Sequence, residues 1–445
     1  MMLMMVITMV TMVHMRMLIL MLVLVVNDWV CNDAWRPFVV HAVFWVGNIV
    51  GSWIWGTISD KVGRRPATLA SFVVYAAGGA LTLAWPSSMA ALAAVRFLVG
   101  TAHHTISHLP YMLVIEYCGA RARVYPLLAL IGSWGVGGAL LPWIAYLVWD
   151  WRILMLLSSL PLLLTLAFYN YIPESSSWLM VRGRGEEAAT LLRKMAAING
   201  QTLDEEAFGE VLIDMTARDP DKETQSILLV RKHPRLMKNM VLVILLWMVS
   251  CLCFYGHTQN TGNLGGSVFS SFSLGATTEL LAMTVPFIIN ARGRKWPMAL
   301  FFVTSGLCGL LYALLGDALP GPARLALGLT GRMLIMGAYS TCLQYGPELF
   351  PTVIRGQSLA LYELLGGVAI FISPSIVYLH QQTPGLPLLI IGAMSLLGGA
   401  ITTLLPETAG LNLPQTLLDG DLLGRDQSVL PCRRRPQRQE GGDKA

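Results

Sequence analysis

The strongest constraint on the fold of this chain is a succession of apolar segments, each about as long as a bilayer is thick. A transmembrane helix needs about 20 mainly apolar residues, which leaves room for about twelve in this chain. Of its 445 residues 55% are hydrophobic and 13% charged, whereas soluble domains carry about 25% charged residues. The runs lack the two-residue alternation of membrane barrel strands. We therefore expect an all-α polytopic membrane protein.

The apolar runs fall into two groups separated by a charged stretch. Residues 1–26, mostly Met, Val, Leu and Ile, predict a first transmembrane helix, with a secretory signal peptide as the alternative. The remaining runs are residues 37–57, 67–85, 89–114, 124–147, 151–171, 239–256, 267–289, 298–316, 321–344, 357–379 and 385–405.

Five segments follow from this order. The first helix, residues 1–26, and residues 27–173 form a first six-helix half, and residues 239–408 form a second. Residues 174–238 are strongly charged, with a helical pattern at 186–198 that predicts a surface helix in a cytoplasmic linker. Residues 409–445 form a basic tail.

The distribution of Lys and Arg predicts the orientation of the helices. One set of loops contains Lys61, Arg64, Arg65, the linker and the tail, whereas the other set holds little beyond Arg36, Arg152 and Arg324. Because cytoplasmic loops carry the excess of Lys and Arg, the first set is expected to be cytoplasmic, with both termini inside.

The two halves repeat one another. Glu116 and Glu348 are 232 positions apart, as are Pro142 and Pro374. Similar offsets relate Gly63 to Gly293, Arg96 to Arg332, Arg123 to Arg355, and Pro173-Glu174-Ser175 to Pro406-Glu407-Thr408. Both halves start on the same side, so the repeat is parallel. Major facilitator transporters have this arrangement, with the substrate site near the membrane midplane between the halves.

Four motifs carry a more specific resemblance, which covers about residues 27–415. They are Gly63-Arg64-Arg65-Pro66, Pro173-Glu174-Ser175 followed by Trp178-Leu179, Glu348-Leu349-Phe350-Pro351, and Pro406-Glu407-Thr408. Together they resemble the organic cation/anion/carnitine transporter family, solute carrier family 22, of the major facilitator superfamily. The large extracellular loop usual after helix 1 in that family is reduced here to about ten polar residues, 27–36.

The resemblance implies two halves of six transmembrane helices and transport of small organic ions across the plasma membrane by alternating access. Expected partners are therefore a small organic ion and the lipid bilayer, with no nucleic acid and no cofactor. The alternative is a non-transporting relative that acts as a sensor, a scaffold or a partner subunit. The oligomeric state stays open.

In relatives that carry anions, helix 11 has an Arg and helix 8 a Lys, whereas relatives that carry cations have acids there. The matching positions here are Gly367 and, approximately, Ala282, and neither is charged. The nearest acids are Glu363 and Glu279. An ionisable group inside a membrane is a functional candidate by default, so we expect both acids to line the cavity and to favour cations or zwitterions. The alternatives are that Glu363 binds the inner gate and that Glu279 is a proton-linked or structural buried acid.

Helix 4 carries a second group of ionisable residues, Arg96, His103, His104 and His108. Histidine titrates near neutral pH, so a proton relay or a pH-sensitive gate is one hypothesis. The alternative is polar packing between helices. A metal site is not expected, because no third ligand is placed.

Charged residues at the cytoplasmic helix ends are candidate gate elements. Salt bridges among them would lock the two halves together when the site opens outward; the alternative is that they only fix topology. Asn290 stands where an acid matching Asp60 is expected, which predicts a weaker second gate. The candidates are Asp60, Gly63, Arg64, Arg65, Glu116 and Arg121 in the first half, and Arg292, Arg294, Glu348 and Arg355 in the second.

Aromatic residues complete the predicted cavity, because their π faces attract organic cations. The candidates are Trp134, Phe254, Tyr255 and Tyr362, with packing in the helix bundle as the alternative for each. The chain has no phosphate-binding loop, and His103-His104 lacks the following Glu of a zinc-protease helix. We therefore expect no enzyme activity.

Overall fold

A computed structural model describes most of the chain, and throughout the described part the regular structure is helical, without a β-strand. The first predicted helix, Arg121 and Ala282 lie outside the described residues, as do nearly all of 201–225 and the tail beyond 425. The described residues are 33, 35–84, 88–118, 124–167, 172–200, 205, 208–209, 226–281, 284–411 and 414–425.

Within the described residues the first half contains six helices, which correspond to the predicted second to sixth membrane runs. They are α1 (Arg36–Val62), α2 (Arg64–Ala84), α3 (Met89–His103), α4 (Thr105–Glu116), α5 (Val124–Val148) and α6 (Trp151–Leu164). Two linker helices follow, α7 (Ser176–Val181) and α8 (Gly185–Ile198). The helix predicted over 186–198 is thus confirmed.

The second half begins after a 3-10 turn, Ile227–Lys232. Its helices are α9 (Pro234–Asn260), α10 (Val268–Leu281), α11 (Val285–Arg292), α12 (Lys295–Leu315), α13 (Gly321–Leu349), α14 (Arg355–Tyr378), α15 (Leu386–Leu404) and the short tail helix α16 (Leu417–Leu422). Among the described residues, 8 helices are long and apolar enough to cross a membrane by length and composition.

One predicted run is interrupted within the described residues. The run 89–114 breaks at His104, where the Ser107 hydroxyl donates to the His104 carbonyl and Pro110 follows within α4. In the run 267–289, α10 and α11 lie on either side of residues 282–283, which are outside the described residues, and Pro286 stands at the start of α11. Proline cannot donate to the carbonyl four residues earlier, so continuous helical hydrogen bonding is lost near each proline.

Small residues let helices within each half approach closely. A Cβ atom at Gly51 of α1 would collide with the Thr101 backbone of α3, and one at Gly309 of α12 would lie 2.8 Å from the Leu388 carbonyl of α15. Because lipid tails are as apolar as leucine, such close van der Waals packing replaces the hydrophobic effect between membrane helices. Each half therefore forms a tightly packed helix bundle.

The segments outside the membrane runs are tied to these bundles. Arg182 donates to the carbonyl oxygens of Asp60 and Lys61 at the C-terminal end of α1, at 2.7 and 3.1 Å. The Asp421 carboxylate of α16 accepts from the Leu236 backbone N–H at 3.1 Å and so caps the start of α9. A carboxylate at a helix N-terminus and a cation at a C-terminus both offset the helix dipole.

Candidate functional site

The turns around Gly63 and Gly293 lie at one end of the two bundles, which we call the charged end. In the first half, Arg64 forms an ion pair with Glu116. One oxygen of Glu174 accepts from the backbone N–H groups of Arg64 and Arg65, at 2.9 and 3.0 Å. Since these groups open α2, Glu174 caps that helix as well as neutralising a cation.

Two neighbours hold this cluster in place. The Ser175 hydroxyl donates to Glu116, and the Tyr117 hydroxyl donates to the Glu174 carbonyl. Burial raises the pKa of the Tyr117 hydroxyl above its usual range, so it remains a neutral donor at physiological pH. Gly63 has φ 119°, a backbone conformation that favours glycine and lets the chain enter α2 beside Glu174.

The second half repeats the arrangement. Arg294 lies 3.1 Å from Glu348, and Glu407 accepts from the backbone N–H groups of Arg294 and Lys295 at 2.9 and 3.1 Å. Gly293 has φ 92°, and the Thr408 hydroxyl donates to Glu348 as Ser175 does to Glu116. The duplication inferred from residue offsets is thus confirmed in atomic contacts.

These contacts differ from the predicted gate in one respect. Both ion pairs join residues of the same half, so in this structure they brace each bundle and do not link the halves. The Asp60 carboxylate makes no hydrogen bond or ion pair with the described residues, although it lies within electrostatic range of Arg64. The second-half cluster has two carboxylates, Glu348 and Glu407, and Asn290 supplies no counterpart to Asp60, so a weaker second gate stays a prediction.

The remaining gate candidates lie at the same end. The Arg355 guanidinium donates to the Phe350 carbonyl at 3.1 Å, and Arg292 is exposed at the end of α11. Arg65 is half-buried at the start of α2. A role for any of these residues in gating stays a prediction.

The halves meet at the other end of the bundles, which we call the distal end. There the Trp143 indole of α5 donates to the Ser273 hydroxyl of α10 at 3.0 Å. Ser273 in turn donates to the Ala139 carbonyl at 2.8 Å. The rings of Tyr146 and Phe269 lie 5.4 Å apart. This aromatic and hydroxyl contact closes the distal end between α5 and α10.

Helices α1, α9 and α14 form the second contact between the halves. The Trp45 and Tyr255 rings are 5.0 Å apart. Gly367 of α14 packs on Ile49 of α1, since a Cβ at Gly367 would lie 2.7 Å from Ile49 Cγ1. Gly367, predicted to lie in the cavity, therefore belongs to the contact between the halves in this structure.

Glu363 lies one helical turn from Gly367, on the side toward the charged end, and its side chain is exposed. It makes no hydrogen bond or ion pair with the described residues. It lies within electrostatic range of Cys251, Tyr255 and Tyr339 of the second half. The carboxylate therefore lies beside these second-half side chains, on the charged-end side of the Ile49–Gly367 contact, and its place in a substrate cavity stays a prediction.

Glu279 has a different environment. It forms a salt bridge with Arg332 of α13, and the two side chains are 2% and 3% exposed. Arg332 also donates to the Thr261 hydroxyl at 3.0 Å. The expected unmatched acid is thus paired inside the second half, which agrees with the alternative of a structural buried acid. Sequence reasoning used Arg332 only as a marker of the repeat.

The aromatic candidates divide in the same way. Tyr362 is 1% exposed, stacks on Trp247 at 4.7 Å and donates to the Cys342 carbonyl at 2.9 Å. These contacts are those of a packed core residue, the alternative given for each aromatic candidate, and a role for Tyr362 in the cavity stays a prediction. Phe254 stacks on Tyr339 at 4.6 Å, and Tyr255 lies beside both rings, so these residues form the wall near Glu363. Trp134 is half-buried against the main core.

The three histidine rings form one row, in which His104 lies 5.7 Å from His103. His103 is buried, with its ring 4.9 Å from Phe44 and 5.7 Å from Trp45, and the rings of His104 and His108 stack at 5.0 Å. The described residues contain no group of three or more potential ligands that could hold a metal ion. These contacts are those of polar packing between helices, and a proton relay stays a prediction.

Sequence reasoning missed three residues that join the halves, His41, Gln259 and Ser373. The Gln259 amide nitrogen lies 3.0 Å from the Ser373 hydroxyl and 3.4 Å from His41 Nε2. The Arg96 charge is within electrostatic range of His41. His41 is a single polar residue near the start of an apolar run, and Gln259 is one of four consecutive polar residues, 257–260, after another; both are weak signals in a sequence.

Comparison with known proteins agrees with this architecture. The sequence model of the family "Sugar (and other) transporter" matches residues 26–413. The chain is 30% identical to the organic cation transporter protein of Drosophila melanogaster over 90% of this chain and 74% of that protein. It is 28% identical to human solute carrier family 22 member 13 over 88% of this chain and 70% of that protein.

A solved structure shows the same fold. The proton:xylose symporter XylE, a major facilitator superfamily protein, superimposes with a TM-score of 0.68 at 18% identity, covering 93% of this chain and 97% of that one. The chain is thus a multi-pass membrane protein with the major facilitator fold. It belongs to the sugar (and other) transporter family and, within it, groups with solute carrier family 22. These relatives are transmembrane transporters and not enzymes.

Proposed function

We propose that this protein transports small organic ions by alternating access, with a preference for cations or zwitterions over anions. The observation that carries the substrate preference is the Glu363 carboxylate, exposed and unpaired within the described residues, at the aromatic wall formed by Phe254, Tyr255 and Tyr339. A carboxylate and aromatic faces both attract an organic cation. Glu279 adds no net charge, because Arg332 neutralises it.

The arrangement of the two ends supports the transport mechanism. Contacts between the halves run from Ile49–Gly367 to the distal end, while the charged clusters stay within their own halves. A rocking motion about the middle would break the distal contacts and bring the charged ends together, and Asp60 would then be available to the second half. Rocking of two bundles around a fixed midplane site is how such repeats transport.

The loop charges support an orientation. The charged end carries the Lys- and Arg-rich turns and the linker, so we place it in the cytoplasm, with both termini there and the plasma membrane as the site of action. In that orientation the structure is open to the cytoplasm and closed to the outside.

Uptake measurements test the proposed substrate class. Cells with verified surface protein would be given radiolabelled organic cations, zwitterions and anions, and the Glu363→Gln variant would be compared with wild type. We expect cation uptake to fall about tenfold, the factor that corresponds to 1.4 kcal/mol of lost attraction. Glu187→Gln is the matched control, because Glu187 is an exposed acid of the linker that pairs with Arg184 at 2.6 Å.

Two results would contradict the proposal. Cation uptake unchanged in Glu363→Gln would remove the assigned role of Glu363. No uptake of any compound, with the protein at the surface, would favour a non-transporting relative.

A further inference from the structure

One polar bridge joins three helices across the distal end. It consists of His41 near the start of α1, Gln259 near the end of α9 and Ser373 in α14. His41 belongs to the first half, and the other two residues belong to the second. The Trp45 indole, one turn after His41, donates to His41 Nε2 at 3.1 Å. The bridge therefore lies next to the Trp45–Tyr255 contact between the halves.

The hydrogen bonds of this bridge determine which atom donates. The Ser373 hydroxyl donates its single proton to the Ile370 carbonyl at 2.8 Å, so its oxygen is left as an acceptor for Gln259. The Gln259 amide nitrogen serves as the donor to Ser373 and directs its second N–H toward His41 Nε2. A flipped amide would place two acceptors against each other.

His41 Nε2 thus receives two donors, the Trp45 indole and the Gln259 amide. An indole nitrogen can only donate, so Nε2 must be the unprotonated nitrogen of a neutral imidazole. A proton on Nε2 would remove the acceptor and point an N–H at the N–H groups of the Trp45 indole and the Gln259 amide. The bridge is therefore compatible with neutral His41 and incompatible with the imidazolium form.

The charged and titratable neighbours of His41 also favour its neutral form. From α3, Arg96 lies within electrostatic range of His41, and His103 contacts Trp45. Tyr75 of α2 stacks on His103 at 6.4 Å, and Tyr255 of α9 packs on Trp45. On α4, His108 stacks on His104, and α14 contributes the Ser373 hydroxyl. The charged group near His41 is thus a cation, which disfavours a second positive charge.

We propose that the bridge of His41, Gln259 and Ser373 is a pH-sensitive gate, which holds the distal end closed while His41 is neutral and releases it when His41 takes up a proton. This inference rests on the proposed alternating access. In the open state α1 separates from α9 and α14, and water replaces Gln259 at His41. A ligand shifts an equilibrium toward the state that binds it better, so protons favour the open state.

The size of the effect follows from the titration of a histidine in water, near pH 6.5. If His41 binds a proton only in the open state, the ratio of open to closed protein rises about tenfold from pH 7.5 to pH 5.5.

A distance measurement on the purified full-length protein in lipid nanodiscs tests the gate without requiring transport. Spin labels would be attached at Leu147→Cys and Val268→Cys, which flank the α5–α10 contact on exposed positions, after the accessible native cysteines have been changed to serine. Double electron–electron resonance then gives the open and closed populations at both pH values. We expect the open fraction to rise at pH 5.5 in the wild-type background.

Variants separate His41 from other histidines. His41→Gln keeps an acceptor oxygen but cannot be protonated, so the pH response should disappear with the distal end still closed. His41→Asn serves the same purpose if the first variant does not fold. His380→Gln is the matched control, because His380 is half-buried at the same end, its ring contacts the Pro384 carbonyl and it takes no part in the bridge. His104→Gln should also keep the response.

The outcomes are distinguishable. The gate would be contradicted if the ratio of open to closed protein did not change with pH, or if both His41 variants kept the pH response. Either result would leave the proposed function unaffected. A single closed population under every condition, with cation substrate included, would overturn alternating access and the gate together.

Discussion

Contacts within a half and contacts between the halves are built from different chemistry. Within each half, Arg and Glu form the clusters around Gly63 and Gly293, and Arg332 pairs with Glu279 in the core of the second half. Between the halves, the described contacts use indoles, hydroxyls, one amide, one histidine and the glycine at 367. The first kind stabilises a bundle permanently, whereas the second is weak enough to break and re-form in a transport cycle.

This comparison predicts that breaking a contact within a half costs stability, whereas breaking one between the halves mainly changes the conformational equilibrium. The largest effect should come from Arg332→Met, which leaves Glu279 buried without its partner. Removing one partner of a buried ion pair costs about 3–5 kcal/mol. The thermal unfolding temperature of the purified protein in detergent should fall clearly.

The matched double variant sharpens this result. Arg332→Met combined with Glu279→Met removes both charges and should recover most of the lost stability, since replacing a buried pair by apolar residues is often neutral. If the double variant is as unstable as the single one, the pair does not act as a unit.

A smaller loss is expected at the charged end. Glu174→Ala and Glu407→Ala each remove a carboxylate that caps a helix, which costs about 0.5–2 kcal/mol. The two losses should be similar, because each carboxylate accepts from two backbone N–H groups at the start of a helix. Denaturation midpoints measure both, and Glu187→Ala serves as the exposed control. A clearly smaller loss of stability for Glu407→Ala than for Glu174→Ala would indicate that the second cluster is weaker.

Gly367→Ala tests the contact between the halves. Its Cβ would lie 2.7 Å from Ile49 Cγ1, so the closed distal end becomes crowded while the open state is unaffected. We expect the open population in the distance measurement to rise by about fivefold, equivalent to about 1 kcal/mol, with little change in unfolding temperature. The added Ile49→Ala substitution should restore the closed state. An unfolding temperature that drops as far as in Arg332→Met would contradict the comparison.

The smallest effect is expected from Trp143→Phe, which loses the 3.0 Å hydrogen bond to Ser273 and keeps the ring. A typical hydrogen bond contributes about 0.5–1.5 kcal/mol, and this solvent-exposed one belongs at the lower end, so the open fraction should rise about twofold. Trp149→Phe is the control, since Trp149 packs on Phe269 through its ring. An equal response in both variants would show that the hydrogen bond adds nothing to distal closure.

The contacts within the halves were largely predictable from the sequence. Runs of apolar residues place the helices, and the offset between Glu116 and Glu348 predicts that each charged cluster occurs twice. The Pro-Glu-Ser and Pro-Glu-Thr motifs mark the capping carboxylates, although their hydrogen bonds to Arg64 and Arg294 were not foreseen. Charge and hydrophobic periodicity are properties of short sequence segments, so they recur when a segment is duplicated.

The remaining features depend on surfaces that no local pattern describes. Glu279 and Arg332 are 53 positions apart, and His41 and Gln259 are 218 apart. Tyr362 and Glu363 are neighbours in the sequence, yet Tyr362 is buried in the core and Glu363 is exposed. The halves do meet through equivalent surfaces, since Gly367 packs on Ile49 and Gly135 packs on Leu280 at offsets of 232 and 231 positions. An offset in the sequence, however, does not say which helices meet.

The central claim is that the two ends open alternately around Glu363. It is tested most directly by the reactivity of a Glu363→Cys variant with a membrane-impermeant maleimide, applied to each side of sealed vesicles. A second pair, Tyr146→Cys and Phe269→Cys, would be cross-linked to hold the distal end closed. The account predicts labelling from both sides without the cross-link, and from the charged-end side alone with it. Labelling that ignores the cross-link would contradict alternating access.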